Sequence, residues 1–346
     1  MKNIVLTLLC LITLNSCMNN FNSTQKQEVA VFKGQQVTGV TVSDKGRIFA
    51  NFPRWRKGVE NSVVEVVEEG KPKAFPNPKW NSWTLGDPTS ENVFVAVQSV
   101  VAFENNLYVL DTRNPLFNGV IENPRVFMFD LLTNEHIKTF ILQEGTFHKD
   151  SYINDLRIDK KRGKIYLTDS GHAGLVVVDL KLGTSFRVLN DHNSTLAETD
   201  FLNFSGSKWV NTVHSDGIAL DTKNDLLYYH ALTGYSLYAV STDILAKGNQ
   251  KEIEDDVKFI MKTSAPDGMI FDEMGNLYLG DLEYNKIMKV NPVEGAIETF
   301  YEGEDVRWAD TFSIYKDTLY YTNSRINEAN DNIDNLSFTI NKLNIK

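Results

Sequence analysis

The sequence predicts an all-β fold, a six-bladed β-propeller closed by an N-terminal strand that pairs into the last blade. One hairpin pattern, an apolar strand, a polar turn and a second apolar strand, occurs six times, as in SDGIALDTKNDLLYYHALTG at 215–234. The copies begin at Thr38, Gln98, Asn154, Asp216, Asp267 and Asp310. Their starts are 60, 56, 62, 51 and 43 residues apart, near the period of about 40 to 50 residues typical of propeller blades. A β-sandwich would explain the strands but not six similar copies.

The closing strand is predicted from what the last blade lacks. EVAVF at 28–32 has no hairpin partner nearby, and after the sixth hairpin the chain supplies only one more strand, FTINKL at 338–343. Pairing these two segments would complete the sixth blade and close the ring, which removes the exposed sheet edges. We expect side chains such as Val31 and Phe32 to be buried there.

The remaining strands and loops follow from the same pattern. The outer strands are predicted at 175–179 and 185–189 in the third blade, and at 286–291 and 297–301 in the fifth. Inner strands such as GIAL are apolar at adjacent positions, as expected of a sheet packed on both faces. Two connections are long, 69–96 and 190–214. They are either lids over one face or short helices packed on the outside.

The N-terminus has the pattern of an exported bacterial lipoprotein. Residues 1–16 contain Lys2, an apolar run and small or polar residues before Cys17, which is a signal peptide too short to span a bilayer. LNSC at 14–17 resembles a lipobox, so we expect lipidation of Cys17, a tether at 17–27 and one propeller domain at 28–346. The chain would then lie in the bacterial cell envelope, at the outer membrane or periplasmic face. An ordinary secretory signal, with a secreted product, is the alternative.

Cysteine usage and charge restrict the partners. Cys10 and Cys17 are the only cysteines, so the domain has no disulfide and its closure is noncovalent. Lys2 is the only charged residue of 1–16, and its removal changes the formal net charge from −10 to −11. This charge disfavours nucleic acid and anionic lipid. The expected partners are a small-molecule ligand and, through the N-terminal anchor only, a membrane.

The first residue of each repeat is polar, although mainly apolar residues follow it. In a propeller these six residues surround one end of the central channel. They could face only water, but three carboxylates and two amides in one ring would repel each other and shift their pKa values unless a cation or a hydrogen-bonding ligand were bound. Oxygen ligands suit Ca²⁺ or Mg²⁺, and the candidate metal ligands are Asn154, Asp216 and Asp267.

A second set of polar residues lies at the ends of the second strands, where the chain returns to the same face. These residues are Asn51, Asp111, Asp169, Asp281 and Asn323, with Ala231 in the fourth blade. Such residues either cap turns or contribute to a ligand site. Near the same level lie Arg54, Arg113, Arg325 and His230, which would neutralise the acids or hold an anionic or phenolic ligand. No familiar catalytic motif is present, so catalytic residues are not assigned.

Three segments, in order, resemble the major royal jelly protein and yellow family. They are VTGVTVSDKGRIFANFPRW at 37–55, PNPKWNSW at 76–83 with VAVQSVVAFENNLYVLDT at 95–112, and the segment 215–234. The resemblance implies an exported six-bladed propeller, and insect members include biogenic-amine binders and proteins linked to dopachrome conversion. The sequence departs from the family at Arg113, where a Gly is usual, and in lacking the disulfides of insect members.

The ring residues are also similar to those of the senescence-marker and gluconolactonase propellers, which hold a divalent metal. Asn154 and Asp267 match that pattern, Asp216 replaces an Asn, and Thr38 stands in place of a Glu. Two functions follow as hypotheses. One is a binding module for a small polar or aromatic molecule at the channel mouth. The other is an enzyme, either a metal-dependent lactonase-like hydrolase or a dopachrome-tautomerase-like isomerase.

Overall fold

The structure, a computed structural model, describes residues 25–346. The expectations for the signal peptide, for Cys17 and for most of the tether lie outside these residues. The described chain forms six four-stranded antiparallel sheets and one separate two-stranded hairpin. The sheets follow one another along the chain as the blades of a propeller, which confirms the predicted fold.

The strand bounds agree with the predicted repeats. The first strand, β1 (Gln27–Lys33), belongs to the last blade. Blade 1 consists of β2 (Gly39–Val42), β3 (Ile48–Asn51), β4 (Val63–Val66) and β5 (Pro72–Ala74). Blade 2 consists of β6 (Val97–Phe103), β7 (Asn106–Asp111), β8 (Arg125–Asp130) and β9 (His136–Ile141). Blade 3 consists of β10 (Ile153–Asp159), β11 (Lys164–Asp169), β12 (Gly174–Asp179) and β13 (Ser185–Val188).

The second half of the ring continues the pattern around an inserted hairpin. The insertion contains β14 (Phe201–Phe204) and β15 (Ser207–Val210). Blade 4 consists of β16 (Ser215–Asp221), β17 (Leu226–Ala231), β18 (Ser236–Ser241) and β19 (Lys258–Lys262). Blade 5 consists of β20 (Met269–Phe271), β21 (Leu277–Asp281), β22 (Lys286–Asn291) and β23 (Ala296–Glu302). Blade 6 consists of β24 (Ala309–Tyr315), β25 (Thr318–Asn323), β26 (Ser337–Asn344) and β1.

The N-terminal strand closes the ring as predicted. β1 pairs antiparallel with β26, with Gln27 opposite Lys342 and Phe32 opposite Phe338. Phe32 is buried, but Val31 is 47% exposed. The expectation that Val31 is buried is therefore wrong, because successive side chains of a strand point to opposite faces and β1 is packed on one face only.

The core consists of apolar layers between neighbouring blades. Phe32 of β1 and Phe52 of blade 1 meet edge to face at 5.0 Å, where the last blade joins the first. Phe49 of blade 1 packs in one cluster with Phe127 of blade 2, and similar clusters fill the other junctions. Each sheet packs against two neighbours, which explains why the inner strands are apolar at adjacent positions.

The strand directions define two faces of the ring. We call the face at which the first strands begin the upper face. The turns between the first and second strands, and between the third and fourth strands, lie on the opposite side, the lower face. β26 is a third strand and runs toward the lower face. Because β1 is antiparallel to β26, the chain enters β1 from the lower face.

The two long connections differ in position. Residues 190–214 form the hairpin of β14 and β15 and lie over the upper face, as expected of a lid, with Trp209 lining a cavity there. The connection 75–96 packs against the side of the ring, where Trp80 contacts Phe127 and Phe129. It lines no part of that cavity, so its interpretation as a lid is wrong.

Helices are few and short. The structure contains α1 (Thr242–Leu245), α2 (Gln250–Asp256) and two 3₁₀ turns, Glu68–Gly70 and Pro115–Phe117. Across residues 25–346, no helix has the length and apolar character needed to cross a membrane.

Candidate functional site

The upper face contains a cavity of about 740 Å³ at the mouth of the central channel. Its lining includes the first residues of five blades, namely Gln98, Asn154, Asp216, Asp267 and Asp310. The first residue of blade 1, Thr38, is buried and does not line it. Its hydroxyl instead accepts a hydrogen bond from Asn51 Nδ2 at 3.1 Å. The structure therefore brings together five of the six residues of the predicted ring.

Three of these residues, Asp216, Asp267 and Asp310, form what we call the acidic triad. Two of them precede a glycine in the sequence. A Cβ atom at Gly217 would lie 2.4 Å from the Asp267 carbonyl oxygen, and one at Gly268 would lie 2.2 Å from the Asp310 carbonyl oxygen. Only glycine permits such close approach of neighbouring strands. The Asp-Gly pairs at 216–217 and 267–268 thus allow the backbones at the starts of three neighbouring first strands to approach closely.

Burial raises the pKa values of all three carboxyls of the triad, and charges within the triad raise those of Asp216 and Asp310 further. Burial raises the pKa of Asp216 well above its ordinary range, and the charges of Asp267 and Asp310 raise it further. Burial likewise raises the pKa of Asp310 well above its ordinary range, and that of Asp267 to about 7. Within residues 25–346, no Lys, Arg or His side chain forms an ion pair with any of the three. The triad is therefore a buried cluster of carboxyl groups that retains protons near neutral pH and has no basic ion-pair partner among the described residues.

Polar neighbours fix the orientation of the triad. The indole Nε1 of Trp308 donates a hydrogen bond to Asp267 Oδ2 at 2.6 Å, and the Asn154 amide donates to Asp216 Oδ1. The Thr311 hydroxyl donates to Asp310 Oδ1 at 3.3 Å. These donors are neutral, so they orient the carboxyl groups without supplying a positive charge.

An Asp–Arg pair lies next to the triad and was missed in the sequence. Asp155 accepts from the Ser99 hydroxyl at 2.7 Å and from Arg157 NH1 at 2.8 Å. Arg157 also donates to the Met269 carbonyl oxygen at 2.8 Å. The guanidinium is thereby held by Asp155 and blade 5. The Asp155 charge contributes to the raised pKa values of all three triad carboxyls.

Aromatic side chains form two walls of the cavity. On one side, Phe117 stacks against Tyr152 at 4.7 Å and against Trp55 at 5.8 Å. On the other side, Trp209 of the lid hairpin meets Trp308 edge to face at 5.1 Å. Tyr152 donates to Gln98 Oε1 at 2.8 Å, and burial raises its pKa, so its hydroxyl stays protonated. The cavity combines flat aromatic walls with the carboxyl groups of the acidic triad, and the basic residues Arg56 and Lys149 also line it.

The spacing of two of these aromatic residues in the sequence could have predicted their position at the cavity. Tyr152 and Trp308 each lie two positions before a ring residue, Asn154 and Asp310, so they share its side of the chain where the backbone is extended. Gln36 has the same relation to Thr38, and it also lines the cavity. Trp55 comes from a loop and Trp209 from strand β15 of the inserted hairpin, and the repeat pattern of the blades places neither of them.

The acids at the ends of the second strands hold the backbone and do not line the cavity. Asp111 accepts from the N–H groups of Val95 and Ala96 at 2.7 and 2.9 Å. Asp169 accepts from the Tyr152 N–H at 2.9 Å and from Arg187 NH1 at 2.9 Å. Each carboxylate ties the segment that leads into its blade to that blade's second strand, which is the capping alternative considered above.

The remaining candidates also lie outside the cavity lining. Burial raises the pKa of Asp281 to about 6, and its carboxylate accepts backbone N–H groups of the following turn. His230 is buried between the Ala231 carbonyl oxygen and the Thr263 hydroxyl, and burial lowers its pKa to about 4. Arg54 donates to the Val95 carbonyl oxygen at 2.9 Å, and Arg325 pairs with Glu328 at 2.5 Å. We leave these residues out of the proposed site.

The fold and the cavity define a six-bladed propeller with an acidic, aromatic-walled cavity on one face. The model of the family described as "Major royal jelly protein" matches residues 96–346. This chain therefore belongs to the major royal jelly protein family. Among curated proteins, no sequence matches it.

Solved structures with the same fold are distant in sequence. Virginiamycin B lyase from Staphylococcus aureus is 13% identical with a TM-score of 0.52, and the match covers 94% of this chain and 100% of that one. A gluconolactonase from Xanthomonas campestris is 11% identical with a TM-score of 0.58, covering 93% and 89%. An aldose sugar dehydrogenase from Streptomyces coelicolor, bound to PQQ, is 11% identical with a TM-score of 0.53, covering 92% and 98%. These similarities show the fold alone.

Proposed function

We propose that this protein is an exported, lipid-anchored propeller that binds a small organic cation with an aromatic body in the cavity of the upper face. The observation that carries the proposal is the acidic triad, which is buried, has no cationic partner among the described residues and lies between aromatic walls. A positively charged ligand would favour the ionised form of these carboxyl groups and supply the counter-charge that they lack. Its flat body would stack between the walls, where cation–π contacts add about 0.5 to 2 kcal/mol.

The chemistry of the walls favours an arylalkylamine over a simple amine. The indole and phenol rings present faces and edges at stacking distance, and a ring of the ligand can insert between them. An ammonium group on a short alkyl arm would then reach the carboxylates. This agrees with the biogenic-amine binding found among insect members of the family, and it refines the small polar or aromatic ligand expected from the sequence.

The test compares ligands that differ only in charge. Tyramine and tryptamine are titrated against the protein by calorimetry, with the neutral alcohols tyrosol and tryptophol as isosteric controls. We expect the amines to bind at least ten times more tightly, since one ion pair in a buried site is worth more than about 1.4 kcal/mol. Asp216→Asn should abolish this preference, and Asp44→Asn, on the lower face, should leave it intact. Equal affinity for amines and alcohols would refute the proposal.

A divalent cation is the second candidate, because Ca²⁺ or Mg²⁺ would also neutralise carboxylates whose pKa values are raised by burial and by neighbouring charges. Asn154, Asp216 and Asp267 supply hard oxygen donors. Within the described residues, however, no three His, Cys, Asp or Glu side chains are arranged as a metal site. The hydrolase alternative requires this metal. A rise in melting temperature with Ca²⁺, lost in Asp267→Asn, would support it, and no change would remove it.

A further inference from the structure

The lower face carries the most exposed apolar side chains of the described chain. Among the large hydrophobic residues of 25–346, the four highest exposures are Met274 at 81%, Val293 at 79%, Leu132 at 73% and Leu182 at 72%. Single exposed apolar residues are normal on a protein surface. Here, however, all four lie in turns on one face, three of them in the turn between the third and fourth strands of blades 2, 3 and 5.

These four side chains are spread around the ring and do not form one patch. They belong to four separate turns in three blades, and the turns all lie at the same end of their strands. Because each turn presents one apolar side chain at the same end of the strands, the four side chains could enter the interface of a lipid bilayer together.

The ends of the described chain lie at the same face. Gln27, at the start of β1, is opposite Lys342 near the end of β26. The C-terminal Lys346 pairs with Asp317, in the lower turn of blade 6, at 2.5 Å. Val29 and Ala30 lie against Gly70 in the lower turn of blade 1. A lipid on Cys17 would thus be connected to the lower face.

The covalent reach of the tether favours one orientation. Residues 17–27 span at most about 35 Å when fully extended. To place the upper face on a membrane, this segment would first have to run the length of β1, about 23 Å, along the side of the ring. The lower face can reach the membrane without using that length. The upper face would also be closed by lipid, whereas in the opposite orientation its cavity stays open to solvent.

Some charges of the lower face are paired: Lys160 pairs with Glu104, and Lys161 pairs with Asp225 at 2.6 Å. Acidic residues such as Glu294, next to Val293, add negative charge to the same turns. A zwitterionic bilayer therefore suits this face better than an anionic one.

We propose that the lower face lies against the lipid bilayer, with Leu132, Leu182, Met274 and Val293 inserted among the headgroups and the binding cavity directed away from the membrane. This rests on the lipid anchor of the proposed function and goes beyond it, because the anchor is then joined by a second contact that fixes the orientation of the domain.

The test uses single cysteines, since the sequence has no cysteine after Cys17. Val293→Cys and Tyr284→Cys lie in blade 5, at the lower and upper ends of the same strand, and both native side chains are exposed. Each is labelled with a fluorophore on the lipidated protein in phosphatidylcholine vesicles that contain a lipid-borne quencher. We expect several-fold stronger quenching at position 293 than at position 284. Adding Leu182→Asp and Met274→Asp should remove the difference without releasing the protein.

A second experiment tests the orientation of the domain independently of whether Cys17 is lipidated. The Cys17→Ala chain without residues 1–16 carries an N-terminal polyhistidine and is held on phosphatidylcholine vesicles by a nickel-chelating lipid. The labels then report orientation whether or not Cys17 is lipidated in cells, which membrane fractionation decides separately. Equal quenching at both positions, or stronger quenching at 284, overturns the proposal. So does self-association through the lower face in vesicle-free solution.

Discussion

Replacing Asp267 by Asn should stabilise the protein, and only at high pH. The amide keeps an oxygen that can accept the Trp308 N–H bond but cannot ionise. In the native protein the pKa of Asp267 is raised to about 7 by burial, against about 3.9 in an unfolded chain. Since the folded state holds this proton more tightly than the unfolded state, stability falls as the pH rises from about 4 to about 7.

The size of the expected stabilisation follows from the shift in the pKa of Asp267. A change in pKa from 3.8 to about 7 corresponds to a loss of about 4 kcal/mol when the carboxyl is fully ionised. The other two members of the acidic triad share this cost, because each ionised carboxylate opposes the ionisation of its neighbours. We therefore expect Asp267→Asn to raise the free energy of unfolding by about 2 to 4 kcal/mol at about pH 8, and to change it little at about pH 4.

Urea unfolding followed by tryptophan fluorescence at the two pH values measures this difference. Asp44→Asn is the control for loss of a carboxylate outside the cavity. A gain of equal size at both pH values would show that the effect is packing and not ionisation. A loss of stability at about pH 8 would refute the account, because it would mean that the Asp267 charge is compensated in the folded protein.

Three further predictions follow. Tyramine binding should release protons and become tighter as the pH rises through about 7, since the ligand charge favours ionised carboxylates. Calorimetry in two buffers of different ionisation enthalpy measures the proton release, and identical heats in the two buffers would contradict it. Cys17→Ala should move the protein from the membrane fraction to the soluble one with its melting temperature unchanged, and a wild-type protein that is already soluble and unlipidated by mass spectrometry would exclude the anchor. Deleting residues 18–33 should unfold or aggregate the domain, because burying Phe32 contributes about 1.5 to 3 kcal/mol and the strand hydrogen bonds about 0.5 to 1.5 kcal/mol each. Deleting 18–26 should do little, and equal melting temperatures of the two truncated proteins would contradict this account of closure.

The fold was predictable because each hairpin of a blade is formed by residues that are close together in the sequence. Alternating apolar runs and polar turns specify each hairpin within about twenty residues, and repetition then specifies the ring. The ring residues were predictable for the same reason, since aligned hairpins place their first residues at one end of the channel. Thr38 shows the limit of this argument. Its side chain is as polar as the others, but a neighbouring amide, Asn51, binds its hydroxyl away from the cavity.

Other parts of the site were not predictable from the pattern. Asp111 and Asp169 occupy strand ends that face the cavity side, but their carboxylates accept hydrogen bonds from the backbone behind them, and the sequence does not show which donors are free. The aromatic walls depend on loops. Trp55 and Trp209 meet the cavity only after the loop and the lid hairpin have folded over the upper face, and such contacts have no periodicity.

Closure by β1 has a consequence for how the chain acquires its structure. Synthesis delivers the N-terminus first, yet the partner of β1 begins at Ser337, almost at the end of the chain. The first strand to arrive is therefore the last to be paired, and such distant pairings form slowly. Until then its edge is open to other chains. A polypeptide that ends before blade 6 cannot close the ring. Ring closure therefore distinguishes full-length molecules from truncated ones.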